Sequence, residues 1–142
     1  MRTKLLYAVA AFSFTITFYA QEVPVLEKDL PAEARTFLKD HFKSGFHHAI
    51  KEVANRKVTY DVVLNDNTEI EFTEAGRWKD VDGKCKAIPY TFLQPQILDY
   101  VKQTYPGQPI TGIELEDSEY EVTLGNGMDL KFNARGVFVK VD

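Results

Sequence analysis

The stretch YDVVLNDNTEIEFTEAGRWKDVD, Tyr60 to Asp82, returns near the end of the chain as YEVTLGNGMDLKFNARGVFVKVD, Tyr120 to Asp142. At a constant offset of sixty, without a gap, seven of twenty-three positions are identical: Tyr60/Tyr120, Val62/Val122, Leu64/Leu124, Phe72/Phe132, Gly76/Gly136, Val81/Val141 and Asp82/Asp142. Asp61/Glu121, Glu69/Asp129, Ile70/Leu130 and Trp78/Phe138 are close in kind. Ungapped agreement on apolar and glycine positions marks an internal repeat. Within each copy, Tyr60, Val62, Leu64 and then Ile70, Phe72 alternate with polar neighbours, as do Tyr120, Val122, Leu124 and Leu130, Phe132. This period of two is that of half-buried strands. Asn65-Asp66-Asn67 and Gly125-Asn126-Gly127 separate the runs with residues that accept the positive φ of a tight hairpin. Gly76 and Gly136 mark the next reversal, while Ile50 to Val53 and Ile110 to Leu115 supply an earlier strand in each copy.

Outward from these strands lie two helical patterns. Leu30, Ala34, Phe37, Leu38 and His41 share one helical face, with Asp29 near the cap, Pro31 in the first turn and Ser44-Gly45 as the stop. The second begins around Pro95, presents Ile97, Leu98, Val101 and Tyr105, and ends at Pro106-Gly107. An apolar helical stripe must be buried, so each helix is expected on a sheet. The predicted fold is α+β: two tandem helix-plus-antiparallel-strand repeats with the helices packed on one face of the sheet. The predicted boundaries are a first repeat over 21–82, a linker over 83–94 and a second repeat over 95–142, with the short, partly apolar linker holding the halves in shared packing.

The first twenty residues stand apart. Arg2 and Lys4 precede an uncharged apolar run from Leu5 to Ala20, the pattern of a secretory signal peptide over 1–20 with Gln21 as the first residue after cleavage. The run is shorter than the roughly 20 residues of a spanning helix, so no stable membrane insertion is expected once it is removed. Cleavage takes two of the 17 basic residues and none of the 21 acidic ones, leaving 15 against 21 and a net charge of −6. An acidic chain without a basic cluster lacks the footprint that releases counterions from phosphates, which argues against a nucleic-acid partner. Cys85 is the single cysteine, so no intramolecular disulfide forms and the core must hold the fold.

The sequences LPAEARTFLKDHF (Leu30 to Phe42) and IPYTFLQPQILDYVKQTYPG (Ile88 to Gly107), with the two repeated stretches, resemble the PepSY-like family of exported bacterial proteins. The fold of that family is similar to that of the beta-lactamase inhibitory protein. The resemblance covers nearly all of the chain after the leader. It implies helices on one face of an antiparallel sheet and a role in binding or restraining another extracytoplasmic protein. The inhibitory protein's two disulfides have no counterpart here, so inhibition of a beta-lactamase is not carried over, and neither is any partner-contacting residue.

A search for chemistry yields no catalytic, cofactor or metal residues to assign. His41, His47 and His48 are the only histidines, but strand neighbours point to opposite faces, so His47 and His48 cannot chelate one ion without a bend. After the leader only Ser44 and Ser118 remain as serines, and neither sits in a nucleophile elbow. Cys85 lies between Lys84 and Lys86, where a thiolate would be favoured, but no histidine is evidently placed to activate it. Asp80 to Gly83, DVDG, matches the middle of a calcium loop, yet Trp78 occupies the first ligand position and the terminal glutamate is missing. Asp61, Glu69, Glu71, Glu119, Glu121 and Asp129 line the outward strand positions, either as an acidic docking surface for a basic partner or as ordinary solvated positions. Trp78, Phe138, Tyr60 and Tyr120 are expected in the core. The function expected is that of a periplasmic or secreted, non-enzymatic protein-binding module without cofactor, whose partner is an extracytoplasmic protein. The competing expectation is a small-ligand or metal-binding sensor of the cell envelope.

Overall fold

A computed structural model describes residues 20–142, and the signal peptide expected over 1–20 lies outside the described residues apart from Ala20. Among the described residues, nine strands follow one another in chain order across one antiparallel sheet. They are β1 (Gln21–Val25), β2 (Phe46–Ala54), β3 (Lys57–Leu64), β4 (Glu69–Thr73), β5 (Trp78–Asp82), β6 (Ile110–Glu116), β7 (Glu119–Leu124), β8 (Asp129–Phe132) and β9 (Phe138–Val141). A short 3₁₀ turn and helix α1 (Ala32–His41) stand between β1 and β2, and helix α2 (Pro95–Thr104) between β5 and β6.

This corrects the expected fold class. The helices have only ten residues each, whereas the sheet runs the length of the described chain, so the protein is mainly β rather than two helix-plus-strand repeats. The reason is the junction: β5 pairs directly with β6, setting Asp80 opposite Glu114, Val81 opposite Ile113 and Asp82 opposite Gly112. Edge pairing satisfies the backbone groups that two separate sheets would leave open. β1 adds a strand that the periodicity did not announce, with Val25 opposite Ala49 and Gln21 opposite Val53.

The pleat sorts the side chains into two faces. One cross-strand row runs Val25, Ala49, Val62, Ile70, Val81, Ile113, Val122, Leu130 and Val141. From Ala49 to Leu130 every member is buried, and α1 and α2 cover this face. Phe37 of α1 meets Phe72 edge-on at 5.7 Å, and Tyr100 of α2 meets Phe132 edge-on at 5.5 Å and stacks on Phe138 at 4.5 Å. Each fully buried aliphatic or aromatic side chain contributes roughly 1.5–3 kcal/mol relative to exposure, which is how a chain without a disulfide holds together. Trp78, Tyr120 and Phe138 are only partly buried around this core, and Tyr60 is buried within it.

The reversals keep to the chemistry of their residues. Asn67, Gly127, Gly76 and Gly136 all have positive φ, and two hairpins of two residues, Asn55-Arg56 and Asp117-Ser118, take positive φ at both positions. Pro31 is the N-cap of α1 rather than a residue of its first turn, and Pro95 opens α2 as expected.

Candidate functional site: the open acidic face

Because successive residues of a strand point to opposite sides, the row next to the buried one faces away from the helices. It runs Pro24, Ile50, Asp61, Glu71, Asp80, Glu114, Glu121, Lys131 and Lys140. Five adjacent strands, β3 to β7, thus each place a carboxylate in register. Neighbouring strands are about 4.8 Å apart, so these charges repel unless they are compensated or protonated.

Compensation is partial. Lys79 reaches Glu71 at 3.4 Å, and Lys131 reaches Glu121 at 3.7 Å and Asp142 at 2.9 Å. Lys84 bridges Glu69 at 2.8 Å and Asp82 at 2.9 Å, and these bonds hold its ammonium well above the ordinary lysine range. Asp61, Asp80 and Glu114 form no salt bridge among the described residues. Burial, reinforced by Glu114, Asp82 and Glu71, pushes the Asp80 carboxyl up to about 6. Burial raises Asp61 as well, with Glu71 as the largest charge acting on it, and burial with Glu116 and Glu121 raises Glu114. A surface whose central groups are held against their own charge has the electrostatics of a cation-seeking patch.

Of the carboxylates expected on the outward face, Asp61, Glu71 and Glu121 fall in this row, while Glu69 and Asp129 fall in the next, with Asp82. Glu119 lies at the start of β7 beside the turn. Asp80 and Glu114 were not legible as members. Counting alternate residues from the inward Trp78 turns Asp80 inward, but β5 carries a bulge between Trp78 and Asp80 that reverses the parity. The same-face rule applied backward from Val81 would have found it.

The other candidates separate. His41 Nδ1 lies 2.7 Å from Thr91 Oγ1 and its ring packs on Phe37 and Phe92, which ties the last turn of α1 to the segment ahead of α2. His47 and His48 stand together and exposed on β2. No group of three His, Cys, Asp or Glu is placed to hold an ion among the described residues. Ser44 Oγ accepts a bond from the Asp66 amide at 3.0 Å and so fastens the β3–β4 hairpin tip, while Ser118 sits in a turn. Cys85 is exposed in a turn at φ 68°, and its flanking lysines are engaged by Glu69, Asp82 and Asp66. Asp80 and Asp82 are strand residues on the sheet face and form no calcium loop.

The chain is similar to a family and to solved structures described as periplasmic proteins. The sequence model of the family described as "Putative beta-lactamase-inhibitor-like, PepSY-like" matches residues 58–140. A "putative periplasmic protein of unknown function" from Bacteroides vulgatus is 33% identical with a TM-score of 0.82, covering 86% of this chain and 99% of its own. A "putative calcium-regulated periplasmic protein" from Bacteroides thetaiotaomicron is 30% identical with a TM-score of 0.82, covering 85% and 96%. A further "putative periplasmic protein" from Bacteroides vulgatus is 31% identical with a TM-score of 0.80, over the same shares. No curated protein matches the chain. No helix among the described residues is long and apolar enough to cross a membrane.

Proposed function

The chain belongs to the PepSY-like family, and from that premise we propose that it is an exported, non-enzymatic protein-binding module that restrains another envelope or secreted protein. Export is supported by the leader sequence and by the periplasmic descriptions of the similar structures. The observation that carries the binding role is the uncovered row Asp61, Glu71, Asp80, Glu114 and Glu121, three of whose members lack a salt bridge among the described residues. A partner that brings arginine or lysine to this face relieves the repulsion, while the helix-backed sheet holds the row rigid, which gives both attraction and register. The sixty-residue offset supports reading the sheet as an internal duplication, since Tyr60 opposite Phe72 has its counterpart in Tyr120 opposite Phe132.

The test is retention of envelope proteins on the immobilised chain, compared with the charge-reversed Asp61→Lys/Glu114→Lys variant. We expect a specific partner that the wild type holds at low salt, loses at high salt, and that the variant fails to hold. Equal retention by both would remove the acidic face from the function.

A second reading rests on one specific observation, the description of the Bacteroides thetaiotaomicron protein as calcium-regulated. Carboxylate oxygens are the ligands hard cations take. In that reading the chain is a metal-binding sensor of the envelope. Calorimetric titration with calcium separates the two: heat that disappears in the same charge-reversed variant favours the sensor, and no heat with wild type removes it.

A further inference from the structure

The two adjacent histidines of β2 are brought together where a regular strand would hold them apart. The register slips there: Phe46 lies opposite Leu64 and His48 opposite Val63, so two steps on β2 match one on β3, and His47 is the extra residue of the bulge. His47 Nδ1 and His48 Nδ1 are 2.7 Å apart, with ring centroids 4.9 Å apart and planes at 75°. β1 leaves β2 at Val25 opposite Ala49, so among the described residues no strand lies beside the pair on the outer edge of β2, and both rings are exposed.

We propose that His47 and His48 form a two-histidine site for a late first-row divalent ion, copper(II) or nickel(II), with water in the remaining positions. Imidazole nitrogens suit copper, nickel and zinc, and on such donors affinity rises from nickel to copper and falls again at zinc. At 2.7 Å the two nitrogens are in hydrogen-bond contact, close enough for turned rings to share one ion. Without the ion the two nitrogens share one proton in a hydrogen bond, one ring donating from Nδ1 and the other accepting. The second torsion of a histidine side chain is broad, so two exposed rings can turn their lone pairs from facing each other to converging on one point. The ring that donated from Nδ1 passes that proton through solvent to its own Nε2, and the ion then takes the Nδ1 lone pair of both neutral rings, each carrying its N–H on Nε2 towards solvent. The site is separate from the five-carboxylate row and stands or falls independently of the binding role proposed for it.

Equilibrium dialysis of the chain against copper(II), nickel(II) and zinc(II), with His47→Ala, His48→Ala and His41→Ala beside the wild type, tests the site. We expect one high-affinity copper per chain, nickel weaker, zinc weakest, a loss of at least tenfold for copper in each of His47→Ala and His48→Ala, and no change in His41→Ala. Far-UV circular dichroism confirms that the variants keep the fold. In the wild type, substoichiometric copper should broaden the ring resonances of His47 and His48 and leave those of His41 sharp. Less than tenfold loss in either variant, an equal loss in His41→Ala, zinc binding above copper, or broadening spread evenly over the three histidines would overturn the assignment.

Discussion

Gly76 sits at φ 89° in the reversal between β4 and β5, and a Cβ placed there would come within 2.8 Å of Pro31 Cβ and 2.9 Å of the Ala34 backbone nitrogen. The glycine is therefore demanded twice, once by its own backbone and once by the start of α1 lying against it. Gly76→Ala should lower unfolding free energy by about 2 kcal/mol or more, read from the midpoint of urea denaturation. An unchanged midpoint would mean that α1 does not press on this turn. Asp80 makes the opposite prediction. Its carboxyl stands at about 6 in the folded protein against 3.8 in the unfolded chain, so between those values the folded state binds the extra proton. Stability therefore falls as pH rises from about 4 to about 6 and stays lower at neutral pH. Asp80→Asn should stabilise the protein at pH 7 by about 1 kcal/mol, an allowance for solvent screening included, and by nothing below pH 4. Paired thermal melts at the two pH values decide it.

Among the strands, the two edges of the sheet differ. β1 carries Pro24, which removes a donor from an edge strand and discourages further pairing. β9 has no proline, and Val137, Val139 and Val141 around it are 53%, 51% and 46% exposed. The contrast with β5 is direct: Val81 is fully buried because β6 lies beside it, whereas Val141, sixty residues on, has no strand beyond it among the described residues. β9 is thus the edge where aggregation should begin. Val139→Lys should slow the growth of light scattering at high protein concentration while moving stability by less than about 0.5 kcal/mol. Aggregation at an unaltered rate would place the liability elsewhere.

Across the whole molecule, Trp78 joins what the chain order separates. Its ring lies 6.4 Å from Phe37 of α1, 5.4 Å from Phe92 ahead of α2 and 6.3 Å from Tyr120 of β7, while β5 and β6 share backbone pairing. Tryptophan fluorescence and far-UV circular dichroism should consequently report one coincident urea transition. Two separated transitions would show that the strand sets on either side of the β5–β6 junction unfold independently. The same junction marks the boundary of what could be read from residues alone. Alternation in Tyr60 to Leu64 and Tyr120 to Leu124, the turn chemistry of Asn67 and Gly127, and the position of Pro95 were legible because strand pleat, positive φ and helix starts are local properties. The two amphipathic patterns located the helices for the same reason, yet they gave helices a larger share of the architecture than ten residues each take in a nine-stranded sheet. The pairing of β5 with β6, the inclusion of β1, the bulge that turns Asp80 outward and the bulge that brings His47 to His48 were not legible. Each depends on which strand lies alongside, through hydrogen bonds between residues far apart in the chain. By itself, then, the sequence determined which segments other than β1 are strands, turns and helices and which of their sides are apolar, since those follow from neighbours two to four residues away. Only the tertiary structure decided that the strands form one sheet and that five carboxylates from five strands stand in a single row, because register is set by backbone pairing across the sheet and not along the chain.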